Sequence, residues 1–251
     1  CLFSNLIINH DPAELFLMNV NEAPNAEFWF GTDSLGRDIY SIIWYGGRAS
    51  IFIGLMSAAV ITLIGVSYGC LSGVASGVVD SAMRAVELLQ SVPVLLSLLL
   101  ILSLMGKPNE LTIALVIGVT GWFALSRIVR SEVRQIRNSE YILASRCMGA
   151  RFPFIMRKHL IPNFVSAIMF VVISSISTSM AMEATLSFLG LGLPVDVLSW
   201  GSMLALADRA LLLNSWWVIL IPGVFLVVTL LSITSIGHYF RKRSNQGPSN
   251  L

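Results

Sequence analysis

Residues Ile51–Val79 read IFIGLMSAAVITLIGVSYGCLSGVASGVV, a stretch with no charged side chain. Crossing about 30 Å of hydrocarbon takes about 20 helical residues at 1.5 Å each, so this stretch is long enough to span a bilayer. Four more charge-free stretches follow: Leu88–Gly106, Leu111–Ser126, Leu160–Met182 and Ala210–Gly237. Leu111–Ser126 is short, but Arg127 can snorkel to the interface and extend it. Buried helices of soluble domains also give apolar runs, yet five in 251 residues are hard to explain that way. The composition agrees. Charged residues make up 12% of the chain and hydrophobic ones 55%, with a mean hydropathy of +0.79, whereas a soluble domain carries about 25% charge to wet its surface. The expected fold is all-α and integral to a membrane, with five complete spans.

Charge placement sets the orientation. Of 16 Lys and Arg, eight fall between Arg127 and Lys158, and Arg241, Lys242 and Arg243 form a second group. The positive-inside rule makes both segments cytoplasmic, which places the C-terminus inside. Counting spans backwards makes the segment before Ile51 external. Trp29, Trp44, Trp200, Trp216 and Trp217 then lie in or beside external segments, where interfacial tryptophans collect. A net charge of +2 gives no reason to expect nucleic acid.

The chain opens on Cys1, which allows a lipid-modified terminus or a start that is missing. Cys1–Asn9 (CLFSNLIIN) is half apolar, like the tail of a helix, and favours the second. The expected divisions are 1–10 as the end of a truncated first span and 11–49 as an external segment with a short interfacial helix. Residues 50–240 form the transmembrane core, 127–159 its cytoplasmic loop, and 241–251 a cytoplasmic tail. Cys1, Cys70 and Cys147 have neither metal-finger spacing nor a CxxC, and no metal site is expected.

Three features carry information beyond topology. Gly65, Gly69, Gly73 and Gly77 recur every four residues, so one helix face admits a close neighbour, either within the chain or on a second subunit. Leu160–Met182 is rich in hydroxyls and is followed by Glu183. Back-bonding to the preceding turn can satisfy such hydroxyls, but a water-lined path would use the same residues, so Ser174, Ser177, Thr178 and Glu183 are candidate path-lining groups. The loop reads SRIVRSEVRQIRNSEYILASRCMGARFPFIMRKHLIPN from Ser126 to Asn163. Arg127, Arg130, Arg134 and Arg137 continue a helix into water, Tyr141–Met148 reads as a short amphipathic helix stopped by Gly149, and Pro153 suits the first turn of another. Such a hairpin is either a docking knob or a basic loop on lipid headgroups.

The loop resembles the EAA-type loop of ABC importer permeases, with Leu143, Ala144, Ser145, Gly149 and the pair Ile161-Pro162 in the corresponding places. Leu143 stands where that family has Glu and Ser145 where it has Ala. Gly31–Asp38 (GTDSLGRD) is similar to the family's G-T-D-x-x-G-R-D, Glu183–Gly192 (EATLSFLGLG) to its E-A-S-L-S-F-L-G-L-G, and Ser199–Leu204 (SWGSML) to its S-W-G-x-M-L. Asp11-Pro12 falls where an Asp-Pro follows the first span. On these motifs the chain is identified as a member of the dipeptide/oligopeptide/nickel ABC importer group, as its second, C-type, permease.

The resemblance implies a type I importer transmembrane domain in a bacterial inner membrane, doing no covalent chemistry and binding no cofactor. It implies a heterodimer with a second permease, two cytoplasmic ATPases carrying ATP-Mg, an external solute-binding protein and surrounding lipid. Coupling to the ATPases would fall on Leu143, Ala144, Ser145, Arg146, Met148, Gly149, Ala150 and Pro162. The substrate would be a peptide, with nickel or a metal chelate as the alternative. An intramembrane protease is disfavoured by the absence of HExxH, GxGD and GxSG. A secondary transporter is disfavoured by the lack of visible repeats, paired broken helices and mid-membrane coupling carboxylates.

Overall fold

Apolar stretches that cannot satisfy their backbone groups from lipid become helices, and helices are what the chain forms. The computed structural model describes residues 1, 4–74, 92–137, 139, 140, 142, 147–149, 154, 161–194 and 196–245. In chain order the helices are α1 (Ile39–Val74), α2 (Val94–Met105), α3 (Glu110–Gly121), α4 (Phe123–Arg137), α5 (Ile161–Phe188), α6 (Trp200–Leu204), α7 (Ala207–Leu212) and α8 (Trp216–Asn245), after a single 3-10 turn at Ser4–Leu6. Among the described residues there is no strand, only a bridge between Thr32 and Asp38.

Three of these helices are long and apolar enough to cross a membrane: Ile39–Val74, Ile168–Phe188 and Trp216–Lys242. A fourth crossing arises if α3 and α4 count as one span bent by 42°. The described residues therefore carry three or four crossings where five were expected. The difference lies in α2, which has 12 described residues; 88–91 of the Leu88–Gly106 stretch fall outside them. The short interfacial helix expected within 11–49 does not form an element of its own. Residues 11–38 are irregular, and α1 starts at Ile39 and runs unbroken through the tryptophan-bearing segment into the span.

The glycine repeat explains the tightest contact. A helical glycine costs about 0.5–1 kcal/mol relative to alanine, so a run of them needs a compensating approach. A Cβ on Gly69 would lie 2.6 Å from the Val129 Cβ and 2.8 Å from the Ser126 carbonyl, and one on Gly73 would lie 2.7 Å from a Val133 methyl. At Gly65 it would meet the Trp122 carbonyl at 3.0 Å. The three glycines thus receive α4 within the same chain, and Gly77 lies outside the described residues. Val129 and Val133 continue into a buried cluster with Leu125, Ile136, Ile142 and Ile168. The same device recurs at Gly118 of α3, where a Cβ would lie 2.6 Å from the Val60 Cβ of α1. Helix α5 crosses α1 at Gly54, where a Cβ would lie 2.5 Å from the Met180 side chain, and α8 packs on the same cluster through Val218 and Leu226.

Gly69→Leu would drive a branched side chain into Val129 and the Ser126 carbonyl. It should destabilise the purified complex by about 1–3 kcal/mol, the usual cost of overpacking, read as a lowered melting temperature in detergent. Gly223→Ala, inside α8 at a position where a Cβ meets nothing, should leave the melt unlowered or raise it slightly.

Candidate functional site

The residues marked out by sequence gather at four levels. At the end of the bundle where α1 begins, GTDSLGRD forms a closed knot. The Asp33 carboxylate accepts from the backbone N–H of Leu35 (2.8 Å) and Arg37 (2.9 Å), and from the Arg37 guanidinium (Nε 2.8 Å, Nη2 2.7 Å). The Asp33–Arg37 pair is buried on both sides; two guanidinium N–H groups meet Oδ2 while the two backbone N–H groups meet Oδ1, so the buried carboxylate is hydrogen-bonded at both oxygens. Gly36, at φ +77°, has no room for a Cβ: the Phe16 carbonyl would lie 2.5 Å away. Asp38 starts α1 by accepting from the N–H (3.1 Å) and hydroxyl (2.6 Å) of Ser41. The Trp217 indole donates to the Thr32 carbonyl at 3.1 Å, tying the knot to the first turn of α8.

Next, Glu183 is fully buried, and the hydroxyls of Ser187 and Ser199 donate to its Oε1 at 3.0 Å each. Ser50 of α1 approaches the other oxygen at 3.4 Å while accepting from the Trp200 backbone N–H at 3.1 Å. The Trp200 indole in turn donates to the Ile43 carbonyl at 3.0 Å. Ser199 caps α6 in a reciprocal box with Ser202, and Gly201 lies directly against the Glu183 carboxyl. The stretches EATLSFLGLG and SWGSML therefore meet at one carboxyl group, which clamps α5 and α6 to α1.

Deeper in, a crevice of about 290 Å³ opens between α1, α2, α3, α4 and α5, beside the bend between α3 and α4. Ser174 and Thr178 line it. Ser177 does not: it is buried and donates to the Leu230 carbonyl of α8 at 3.3 Å. Of the four candidate path-lining residues, Ser177 and Glu183 are thus corrected to contacts inside the chain, because both satisfy themselves against neighbouring helices. Sequence reading missed Ser50 and Ser199 as partners of Glu183, which are 133 and 16 positions away in the chain.

At the opposite end, Ile142 is buried in the cluster that α4 shares with α1 and α5, and its N–H bonds the Ser139 carbonyl at 3.1 Å. That seats the base of the basic loop on α4. Beyond it Met148 is 80% exposed and Gly149 takes φ +84°, the left-handed conformation that ends a helix. Pro162 lies in the first turn of α5. Leu143, Ala144, Ser145, Arg146 and Ala150 lie outside the described residues.

A family model described as "Binding-protein-dependent transport system inner membrane component" matches residues 65–246, from the glycine face to the end of α8. The chain belongs to this family. Among its relatives, the dipeptide transport system permease protein DppC of Bacillus subtilis (strain 168) is 41% identical over 229 residues, covering 91% of this chain and 71% of the relative. The oligopeptide transport system permease protein OppC of the same organism is 36% identical, covering 96% and 78%. OppC of Haemophilus influenzae is 34% identical, covering 88% and 72%. The chain is thus an integral-membrane component of the binding-protein-dependent class, as the resemblance of its motifs implied.

Glu183→Ala would leave the Ser187 and Ser199 hydroxyls without an acceptor in a dry site. At about 1–3 kcal/mol for each orphaned donor, it should lower the melting temperature of the detergent-purified complex strongly. Glu183→Gln keeps an acceptor oxygen and should cost less. Equal melts for the two variants would mean that the carboxyl oxygens are not what holds the clamp.

Proposed function

We propose that this chain is one of two permease subunits of an ATP-driven importer of di- and oligopeptides, forming half of the translocation path. Its membership of the binding-protein-dependent family over residues 65–246 is the observation that carries the reading. The relatives named above are dipeptide and oligopeptide permeases, which supports peptide as the substrate class over nickel or a metal chelate. The chain itself does no catalysis. Two ATPases bearing ATP-Mg work on the cytoplasmic side, an external binding protein delivers the peptide, and the partner permease completes the path as a heterodimer. In this reading Leu88–Gly106 is a further span and the C-terminus is cytoplasmic.

Coupling runs through the hairpin in 127–159. ATP closure moves the ATPases, and a knob built on Leu143, Ala144, Ser145, Arg146, Met148, Gly149 and Ala150 follows them, with Pro162 fixing the entry into α5. The exposed Met148 beside a positive-φ glycine supports a projecting tip. The buried Ile142 supports a rigid base, since it shares its cluster with Val129 and Val133, which the α1 glycines receive. Displacement of the tip would then load onto α4 and α1 together. The path has two states, open in or open out, and ATP and loaded binding protein bias them from opposite ends. Ser174 and Thr178 remain on the path in this proposal.

A secondary transporter would load solute from the proton or sodium gradient. In proteoliposomes containing the full complex, uptake of a labelled dipeptide should stop without internal ATP and persist with a protonophore; the reverse pattern would favour the transporter. Gly149→Val strains the tip at φ +84°. It should lower uptake about tenfold or more, the change expected of a strain of roughly 1–3 kcal/mol, while complex yield stays normal. Unchanged uptake with normal assembly would count against the hairpin as the coupling element.

A further inference from the structure

The irregular segment ahead of α1 carries a turn that breaks the ordinary rule for turn residues. The Asn19 N–H bonds the Phe16 carbonyl at 2.9 Å, which closes a β-turn with Leu17 and Met18 at its two central positions. Such positions favour Gly, Pro, Asn, Asp or Ser. Here Leu17 is 75% exposed and Met18 98%, and Leu15 beside them is exposed as well. The turn is nonetheless held firmly from behind. The Phe16 N–H bonds the Gly36 carbonyl at 2.8 Å, the Thr32 hydroxyl donates to the Asn19 carbonyl, and the Asn19 amide donates to Glu22 at 2.6 Å. The Phe16 ring lies edge-on to the fully buried Phe28, with centroids 5.1 Å apart. The GTDSLGRD knot thus backs a preformed apolar finger.

The charge around the finger selects its partner. Asp11 and Glu14 are exposed just before it, and Glu22 holds its last residue, Asn19. Arg37 is the one Lys or Arg in residues 1–38, and its buried contact with Asp33 occupies it. An interfacial membrane anchor characteristically carries Lys or Arg on its polar border. Here the border is negative. A second copy of the finger across a two-fold axis would set carboxylates against carboxylates. What fits is a protein surface with an apolar notch rimmed by Lys or Arg. Asp38 of the same knot starts α1, whereas the basic loop follows α4 at the opposite end of the bundle. We propose that Phe16–Asn19 is a docking finger for the solute-binding protein, with Leu17 and Met18 entering such a notch. A turn already fixed in shape gives up little freedom on docking. This rests on the importer reading above, which supplies the binding protein and places this end outside.

The test uses the full complex in nanodiscs, with its native cysteines replaced, Met18→Cys introduced and bimane attached there. Emission should shift to the blue when binding protein loaded with Leu-Leu is added, and not before. No shift on that addition would overturn the finger. Blue emission in the resting complex would overturn it too, placing the tip in the bilayer if doxyl-labelled lipid quenches it and under the partner permease if not. In unlabelled complex, Leu17→Ser with Met18→Ser should raise the Kd for the loaded binding protein about tenfold, the scale of an interface anchor. Its melting temperature should hold, because both side chains are exposed. Wild-type affinity in this variant would overturn the docking role. Association should slow with added salt, and Glu14→Lys should slow it at low salt. A rate indifferent to both would overturn the basic rim, and the choice of partner with it. A wild-type complex that binds no loaded binding protein would instead remove the importer reading, and the finger with it.

Discussion

Polar groups placed in hydrocarbon have no water to fall back on, so they are held by neighbouring groups. The Glu183 carboxyl shows how. Hydroxyls from Ser187 and Ser199 close on it, Ser50 approaches from α1, and Trp200 extends the network to the Ile43 carbonyl. The first half of α1, the C-terminal end of α5 and α6 are fixed relative to one another by this set, and the Asp33–Arg37 knot fixes the segment that leads into α1.

Between the outer clamp and the inner hairpin the load-carrying contact is the seam of α1 and α4. Glycines 65, 69 and 73 bring the backbones close enough that valine side chains of α4 lie directly on the α1 main chain. Close-packed interiors transmit displacement because there is no free volume to absorb it. In the proposed coupling, a shift of the loop that follows α4, rooted through Ile142 in the same cluster, would reach the bend between α3 and α4 and the crevice beside it. The bend is where such a shift can change shape rather than only position.

Much of this was legible in the sequence, and the parts that were not share a cause. Long charge-free runs located α1, α5 and α8, and helical spacing of Arg127, Arg130 and Arg134 carried α4 beyond its apolar part. The glycine period announced a close contact, but the partner on the other side of the seam is set by tertiary packing. The break after Gly121 left no mark, since no proline stands there and the apolar run continues through it to Ser126. Glu183 and Ser177 look like path residues when read alone, because a carboxyl or hydroxyl on an apolar helix invites that reading. Their partners, Ser50 and Leu230, are 133 and 53 positions away. The knot at Gly31–Asp38 was recognised as a motif, yet its physical content, two aspartates closing a turn and capping a helix, needed coordinates.

The claim on which all of this turns is that the hairpin lies in the cell interior, where an ATPase can grip it. Cys147, exposed beside Met148 and Gly149, is a native reporter at that tip. With Cys1 and Cys70 replaced by serine and alanine, a membrane-impermeant maleimide should label Cys147 in inside-out vesicles stripped of ATPases. It should fail in right-side-out vesicles, and labelling should fall when the ATPases are added back. Labelling of Cys147 from the outside would contradict the orientation, and with it the coupling role of the hairpin.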